Sequence, residues 1–122
     1  MTHFPYPGQP VRGSESGKPI MALFDLLGRR WAMGVLWQLN LGGPSTFREL
    51  QNRCQSISPA VLNSRIKDLK QANLVERSES GYQVTALGKE FATRLLPLSE
   101  FAEQWALQFN HQDTQDTNHE SK

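Results

Sequence analysis

The sequence predicts a mainly α-helical protein with one small β-hairpin, and three observations support this fold class. Apolar residues recur at helical spacing in successive segments after Pro19, and helix-starting residues precede most of these segments. The period changes after Asn73, where two short runs flank a Ser-Glu-Ser-Gly turn at 78–81. A chain of 122 residues with 38% hydrophobic residues is also of a size that one compact domain accommodates.

The first two helices are predicted from their boundaries. Pro19 suits the first turn of a helix, where its missing N–H is not needed, and Gly28 is a natural end. The second helix is expected over about 30–41, because Gly42-Gly43-Pro44 follows it and stops helical continuation.

A helix-turn-helix is predicted next. A Thr-x-x-Glu capping box at 46–49 opens a short helix through about Cys54. A Ser-Pro pair at 58–59 supplies the N-cap and the first residue of a second helix, which runs to about Ala72. Asn73 can act as its left-handed C-cap.

The remaining elements complete the expected architecture. Thr85 is predicted to cap a final long helix from Ala86 to about Phe109, with a kink or a break at Pro97. Helices followed by a two-stranded wing form a winged helix-turn-helix. In that fold the second helix of the motif, here about 59–72, lies in the DNA major groove, while the wing, here about 74–85, contacts the backbone.

The two ends are predicted to lie outside this domain. Residues 1–18 are rich in proline and glycine, which indicates a flexible N-terminal arm. Residues 110–122 are almost wholly polar and are predicted to form a disordered acidic tail, leaving 19–109 as the folded domain with its dimerisation helices. Neither a signal peptide nor a long apolar run is visible, so we expect a cytoplasmic protein that does not contact membranes.

Charge is unevenly distributed along the chain. The net charge of +1 argues mildly against binding to nucleic acid over the whole surface. Residues 1–44 and 45–76 nevertheless carry +2 each, whereas residues 77–109 carry −1 and residues 110–122 carry −2. A basic helix-turn-helix is therefore balanced by acidic later segments.

One face of the predicted recognition helix fits base reading. Leu62, Ile66 and Leu69 share the side expected to be core, and the opposite side carries Ala60, Asn63, Ser64, Lys67 and Gln71. Small and amide side chains near the start of such a helix can reach base edges. We therefore predict base contacts from Ser58, Ala60, Asn63 and Ser64, next to Pro59. An ordinary solvated helix surface is the alternative.

Phosphate contacts are predicted from the cations around this face, namely Arg48, Arg65, Lys67, Lys70 and, in the wing, Arg77. Ser45 and Thr46 are candidates for further phosphate bonds at a helix N-terminus. Arg65 flanks the core side, so it could equally brace the motif.

The chain resembles the HxlR-type family of bacterial winged-helix transcriptional regulators, which is close to the MarR-like regulators. The resemblance covers about 19–108 and rests on Leu-Leu-Gly-Arg-Arg-Trp at 26–31, Phe-Arg-Glu-Leu at 47–50, Ile-Ser-Pro at 57–59, Leu-Val-Glu-Arg at 74–77 and Thr-Ala-Leu-Gly at 85–88. It implies a homodimer, paired through the first and last helices, that binds a palindromic operator.

Two departures from the family pattern are visible. Family members typically carry a cysteine just before the first helix, where this chain has Lys18, and its single cysteine, Cys54, lies elsewhere. A lone helix cysteine is more often buried filler than a sensor. The wing is also short, and Glu79 at its tip would repel phosphate, so we expect Arg77 to make its main contact.

Large apolar residues indicate a dimer interface independently of the resemblance. We assign to it Ile20, Leu23 and Phe24 in the first helix and Leu98, Phe101, Trp105 and Phe109 in the last. The alternative is that the late aromatic residues fold back onto the same chain. Phe24, Trp31, Trp37 and Leu95 could line an effector pocket, although we favour a plain core role for them.

Other functions have less support. A winged helix that binds another protein is the main alternative, favoured by the near-neutral charge and the acidic wing tip. An enzyme is not expected, because all three histidines (His3, His111 and His119) lie in the predicted flexible ends. No cofactor or metal is expected either.

Overall fold

A computed structural model describes residues 4–120, with side chains for residues 4–109. The elements are α1 (Pro19–Leu27), α2 (Ala32–Gly42), α3 (Phe47–Cys54), α4 (Pro59–Gln71), β1 (Val75–Ser78), β2 (Gly81–Val84) and α5 (Ala86–Glu120). The chain divides into two compact units, residues 1–89 and 90–122. No helix among the described residues combines the length and the apolarity needed to cross a membrane.

The predicted capping residues begin and end their helices as expected. Thr46 Oγ1 accepts from the Glu49 N–H at 3.1 Å, and the Glu49 carboxylate accepts from the Thr46 N–H at 2.8 Å, which completes the capping box. Ser58 Oγ accepts from the Val61 N–H at 3.2 Å. Asn73 adopts the left-handed conformation, with φ of 64°, and ends the α4 segment.

The wing is an antiparallel hairpin with a third, single-residue partner. Val75 pairs with Val84 and Ser78 with Gly81, so a two-residue loop joins the strands. Ser45 forms an isolated bridge with Tyr82, with N–O distances of 2.9 and 2.8 Å. A side chain on Gly81 would approach Thr46 Cα to 2.7 Å, so the close contact between hairpin and α3 requires glycine there.

The core of the first unit is built from the apolar faces of the helices. Leu36, Leu39, Leu50, Leu62 and Leu69 are fully buried. They belong to α2, α3 and α4, and α2 packs against both of the other helices. This core fixes α4 by one side and leaves its other side to solvent.

The start of α2 differs from the sequence prediction. The helix begins at Ala32 and not at about Arg30, because Trp31 adopts a left-handed conformation with φ of 76° that helical geometry excludes. The segment between α1 and α2 is therefore a tight turn, in which the Ala32 N–H donates to the Arg29 carbonyl at 3.0 Å.

The last helix also differs in its extent. Thr85 caps it as predicted, by accepting from the Gly88 N–H at 2.9 Å. The helix is continuous across Pro97, so a break there is wrong, whereas a kink stays a prediction. The helix also extends past Phe109 to Glu120. No glycine or proline occurs after Pro97 to stop it. The predicted tail at 110–122 lies outside the described side chains, and its disorder stays a prediction.

Candidate nucleic-acid interface

The two faces of α4 have opposite properties. Leu62, Ile66 and Leu69 are buried, which confirms their predicted core position. The opposite side is exposed along its length and carries Ala60, Asn63, Ser64, Lys67 and Gln71, together with Lys70. This outward face contains no large apolar side chain, so it presents hydrogen-bonding groups and positive charge to the solvent.

The N-terminal end of α4 is open to the solvent. Ser58, Pro59 and Ala60 are all exposed. The Ser58 hydroxyl oxygen accepts the capping bond from Val61, which leaves the O–H of Ser58 able to donate. Small side chains at this end allow close approach of the helix to a base pair.

Exposed cations lie on three elements of the first unit. Arg48 on α3 and Lys67 and Lys70 on α4 are exposed, as is Arg77 on β1. Arg77 is held in place, since its guanidinium lies 5.5 Å from the ring centroid of Tyr82 and donates to the Tyr82 hydroxyl at 3.2 Å. Glu79 is exposed in the wing loop, as the sequence predicts.

The predicted phosphate bonds at the start of α3 need correction. Ser45 has 0% of its surface exposed and its hydroxyl donates to the Gly43 carbonyl at 2.7 Å. Its backbone N–H is bonded to Tyr82, so no donor of Ser45 points outward. The sequence suggests a helix N-terminus with free hydrogen-bond donors here, but the backbone bridge between Ser45 and Tyr82 occupies the Ser45 N–H.

Thr46 is exposed, but its backbone N–H is also occupied. The Glu49 carboxylate accepts a hydrogen bond from this N–H. This bond, a second one with the Thr46 hydroxyl and the positive charge of nearby Arg53 lower the pKa of Glu49 below its ordinary value of 4.5. The N-terminal end of α3 is thus already occupied by the Glu49 carboxylate. A phosphate would have to displace it, so we remove Ser45 and the Thr46 N–H from the interface.

Arg65 is turned towards the protein. Its side chain is 20% exposed, and Nε lies 3.3 Å from Asp68 Oδ2, without hydrogen-bond alignment. Arg65 Nη1 donates to the Arg30 carbonyl at 3.4 Å. Arg29 Nη1 donates to the other oxygen of Asp68, Oδ1, at 3.1 Å. These contacts agree with the bracing role that the sequence left open for Arg65.

The N-terminal segment contacts the domain at two described points. The Arg12 guanidinium lies 3.1 Å from the buried carboxylate of Asp25 in α1. The Tyr6 hydroxyl accepts from Gln71 Nε2 at 2.6 Å, next to the C-terminal end of α4. Neither contact is predicted from the sequence, although a carboxylate on the apolar face of α1 is a signal that a cation must lie nearby. The flexibility of residues 1–18 stays a prediction.

Cys54 is buried at the end of α3. Burial raises the pKa of its thiol, and the positive charge of Arg53 opposes this only in part. A thiol with a raised pKa is a poor nucleophile, so these properties agree with a packing role. Among the described residues, no group of three or more His, Cys, Asp or Glu side chains could hold a metal ion.

Exposed large apolar side chains are concentrated in α1 and α5. On α1, Ile20 and Phe24 are exposed and Leu23 is half-buried. On α5, Phe101 is 58% and Trp105 is 57% exposed, and Leu98 and Phe109 are exposed too. Trp105 and Phe109 pack edge to face, with ring centroids 5.0 Å apart.

The residues predicted to line an effector pocket have mixed exposure. Phe24 is exposed, so a plain core role is wrong for it, whereas Trp31, Trp37 and Leu95 are half-buried. A cleft in the first unit lies elsewhere. It is lined by 39–44, by the hairpin residues Glu76, Gln83 and Val84, and by the start of α5.

Comparison with known proteins agrees with this geometry. The HxlR-like helix-turn-helix family matches residues 26–110, which include all of α2, α3, α4 and the wing. The chain belongs to this family. It is 34% identical over 89 residues to the HTH-type transcriptional regulator YodB of Bacillus subtilis (strain 168), which covers 70% of this chain and 79% of YodB. The chain is therefore a DNA-binding transcription regulator, which confirms that it is not an enzyme.

Solved structures extend the comparison to the fold. Quinone-bound YodB from B. subtilis superposes with a TM-score of 0.64 at 30% identity, covering 70% of this chain and 96% of that one. A possible HxlR family transcriptional factor from Thermoplasma volcanium GSS1 gives 0.61 at 27% identity, covering 73% and 85%. A MarR family regulator from Enterococcus faecalis V583 shares the fold at 19% identity and a TM-score of 0.65, covering 81% and 96%. The predicted winged helix-turn-helix is thus confirmed.

Proposed function

We propose that this regulator binds a palindromic DNA operator as a homodimer, with α4 of each protomer in a major groove. The observation that carries the proposal is the division of α4 into a buried apolar face and an exposed polar face that begins with small residues. Ser58, Ala60, Asn63 and Ser64 are the proposed base-reading residues, next to Pro59 at the first helical position.

Phosphate contacts are assigned to cations that are exposed and not engaged by a buried carboxylate. These are Arg48, Lys67, Lys70 and Arg77. They lie on α3, α4 and β1 and so frame the base-reading face on several elements. The cation–π contact with Tyr82 gives Arg77 a defined position in a wing that is otherwise short.

Dimerisation is proposed through α1 and α5. Exposed large apolar side chains on a water-soluble surface favour burial against another protein, and aromatic residues are enriched at interface centres. Ile20, Leu23 and Phe24 would contribute from α1, and Leu98, Phe101, Trp105 and Phe109 from α5. Two copies of α4 also supply two basic faces, which compensates for the low net charge of one chain.

A small-molecule effector is a further part of the proposal. The quinone-bound structure of YodB supports it for a related protein. Phe24, Trp31, Trp37 and Leu95 remain the candidate lining. Because Cys54 is buried with a raised pKa, we do not assign it to sensing. Titration of tryptophan fluorescence with a quinone series tests the pocket, and no response to any member would contradict it.

DNA binding is tested with duplexes selected from a random-sequence pool by the full-length protein. Fluorescence anisotropy against the selected duplex and a scrambled one, over a range of salt concentrations, should show a specificity gap and a steep salt dependence. Half-sites should be spaced by about one helical turn, roughly 34 Å.

One outcome would contradict the proposal. Failure to enrich any sequence, with weak binding at low salt, would favour the alternative of a protein-binding winged helix. Glu replacements of Lys67 and Lys70 distinguish these functions, because they should abolish DNA binding and leave recognition of a protein partner on another surface unchanged.

A further inference from the structure

One cluster of largely buried charged side chains in the first unit belongs neither to the apolar core nor to the exposed cations described above. Arg29 lies in the turn between α1 and α2, and its side chain is only 7% exposed. Asp68 lies on α4 with 14% exposure, and Arg65 is one turn earlier on the same helix. Arginine is seldom buried without a specific partner, so the cluster needs a physical reason.

The two oxygens of the Asp68 carboxylate are divided between two guanidinium groups. Arg29 Nη1 is 3.1 Å from Oδ1, and Arg65 Nε is 3.3 Å from Oδ2. Arg65 also reaches back to the Arg30 carbonyl at 3.4 Å, in the turn that carries Arg29. We define these three side chains as the Asp68 bridge. It connects the turn to α4 twice, through Arg29 and through Arg65.

The turn at the other end of the Asp68 bridge is itself closely defined. Trp31 holds a left-handed conformation there, which costs free energy for a residue other than glycine and persists only where the surroundings fix it. Arg30 covers the Trp31 ring, with its guanidinium carbon 5.7 Å from the centroid. A turn with one defined conformation is a suitable anchor for the Asp68 bridge.

Apolar contacts alone fix the rotation of α4 about its own axis only weakly. Leu62, Ile66 and Leu69 hold the helix against the core, but leucine and isoleucine contacts are non-directional and tolerate small rotations. The hydrogen bond from Arg29 Nη1 to Asp68 Oδ1 is directional, and Arg65 Nε adds an ion-pair contact at Oδ2. Together these contacts specify the rotation of α4 about its axis, and with it the direction of Asn63 and Ser64.

We propose that Arg29 is a positioning residue for the recognition helix, acting through Asp68, and that Arg65 completes the same bridge instead of binding phosphate. This inference rests on the proposed role of α4 in reading bases. It makes the turn between α1 and α2 the element against which the reading face is aligned.

The first test exchanges the buried pair of the Asp68 bridge, Arg29 and Asp68, for apolar residues in the double variant R29M/D68L and keeps Arg65, which is 20% exposed. A buried ion pair exchanged for apolar side chains is often neutral for stability, so the fold should remain. Affinity for the selected duplex should fall roughly two- to thirtyfold, the range found for residues that act through a network. Affinity for the scrambled duplex should not change. R53M is the matched control, because half-buried Arg53 joins α3 to the Gln38 carbonyl at 3.3 Å and should keep both affinities.

The second test decides the role of Arg65 and does not depend on the double variant. In R65Q the slope of log affinity against log salt should equal that of the wild type, although affinity for the selected duplex falls. K67Q should reduce the slope by about 0.9 per protomer, as loss of a phosphate contact does. An equal reduction in R65Q would overturn the bridge and make Arg65 a phosphate ligand.

The outcomes separate this inference from the proposed function. If R29M/D68L folds with unchanged specificity, or if R53M loses as much specificity, the Asp68 bridge does not position α4. If R29M/D68L does not fold, the slope of R65Q alone decides. If the wild type shows no specificity gap, or K67Q keeps the full slope, the assignment of α4 to DNA fails instead.

Discussion

Helix α4 and the later part of α5 show how one amphipathic pattern gives two different surfaces. In α4 the residues Leu62, Ile66 and Leu69 are buried within the first unit, and the exposed side carries no large apolar residue. In α5 the apolar residues Leu98, Phe101 and Trp105 are themselves exposed. Spacing at 3.6 residues per turn specifies a face in both helices. What covers that face is decided by the rest of the molecule.

The difference has a functional meaning. A helix whose apolar side is satisfied within its own chain can present polar groups to a polyanion without weakening the fold. A helix that leaves aromatic residues in solvent gains stability when a second protein surface covers them. The first kind of surface suits DNA and the second suits a protomer.

The largest effect is expected at the buried side of α4. Leu62 is fully buried, and L62A should lower the free energy of unfolding by about 3 kcal/mol, because it removes apolar contacts and leaves a cavity. N63A, at the neighbouring exposed position, should change it by less than about 0.5 kcal/mol. Urea denaturation followed by circular dichroism measures both. Equal losses in the two variants would contradict the two-faced description of α4.

The second effect is expected in α5 and concerns association instead of folding. W105A should raise the dissociation constant of the dimer about thirtyfold, as truncation of an aromatic residue at an interface centre does. Q104A is the control, an adjacent exposed polar residue that should leave the constant within about twofold. Analytical ultracentrifugation measures the constant. A monomeric wild type, or an unchanged W105A, would remove α5 from the interface.

Local features of the fold were predictable from the sequence because their causes are local. The capping box at 46–49, the Ser-Pro start of α4 and the Asn73 end each depend on residues within one or two turns. The polar face of α4 follows from the same short-range periodicity. Its proposed role still depends on experiment.

The features that were not predictable depend on distant parts of the chain. The pair of Arg29 and Asp68 joins residues 39 positions apart, and that of Arg12 and Asp25 joins residues 13 apart. Ser45 precedes a helix as a phosphate-binding residue would, but a bridge to Tyr82 buries it. Single-sequence patterns carry no information on such pairings, because they arise only once the hairpin and the helices pack.

A third effect is expected at the capping box at the start of α3. Because the folded pKa of Glu49 lies below 4.5, the carboxylate contributes its full stabilisation above that pH and loses it as the pH falls through the lower folded value. Below pH 4.5 the free energy of unfolding should therefore fall less steeply with decreasing pH in E49Q than in the wild type. Glu76, which is bonded to Gln83, provides the control E76Q. Identical acid unfolding curves for E49Q and the wild type would contradict the lowered pKa.

The smallest effect is expected at the wing tip, where an acidic residue lies close to the cation proposed to bind phosphate. Glu79 is exposed in the loop between the strands, beyond Arg77. An exposed charge is largely screened, so E79Q should strengthen binding to the selected duplex by only about twofold, more at low salt. E76Q removes the same charge at the other end of β1 and should give less, because Val75 and Val84 pair there, away from the tip. Anisotropy titrations at two salt concentrations measure this difference. Equal gains in E79Q and E76Q would mean that the tip has no special proximity to phosphate, and weaker binding in E79Q would mean that Glu79 accepts a hydrogen bond from a base.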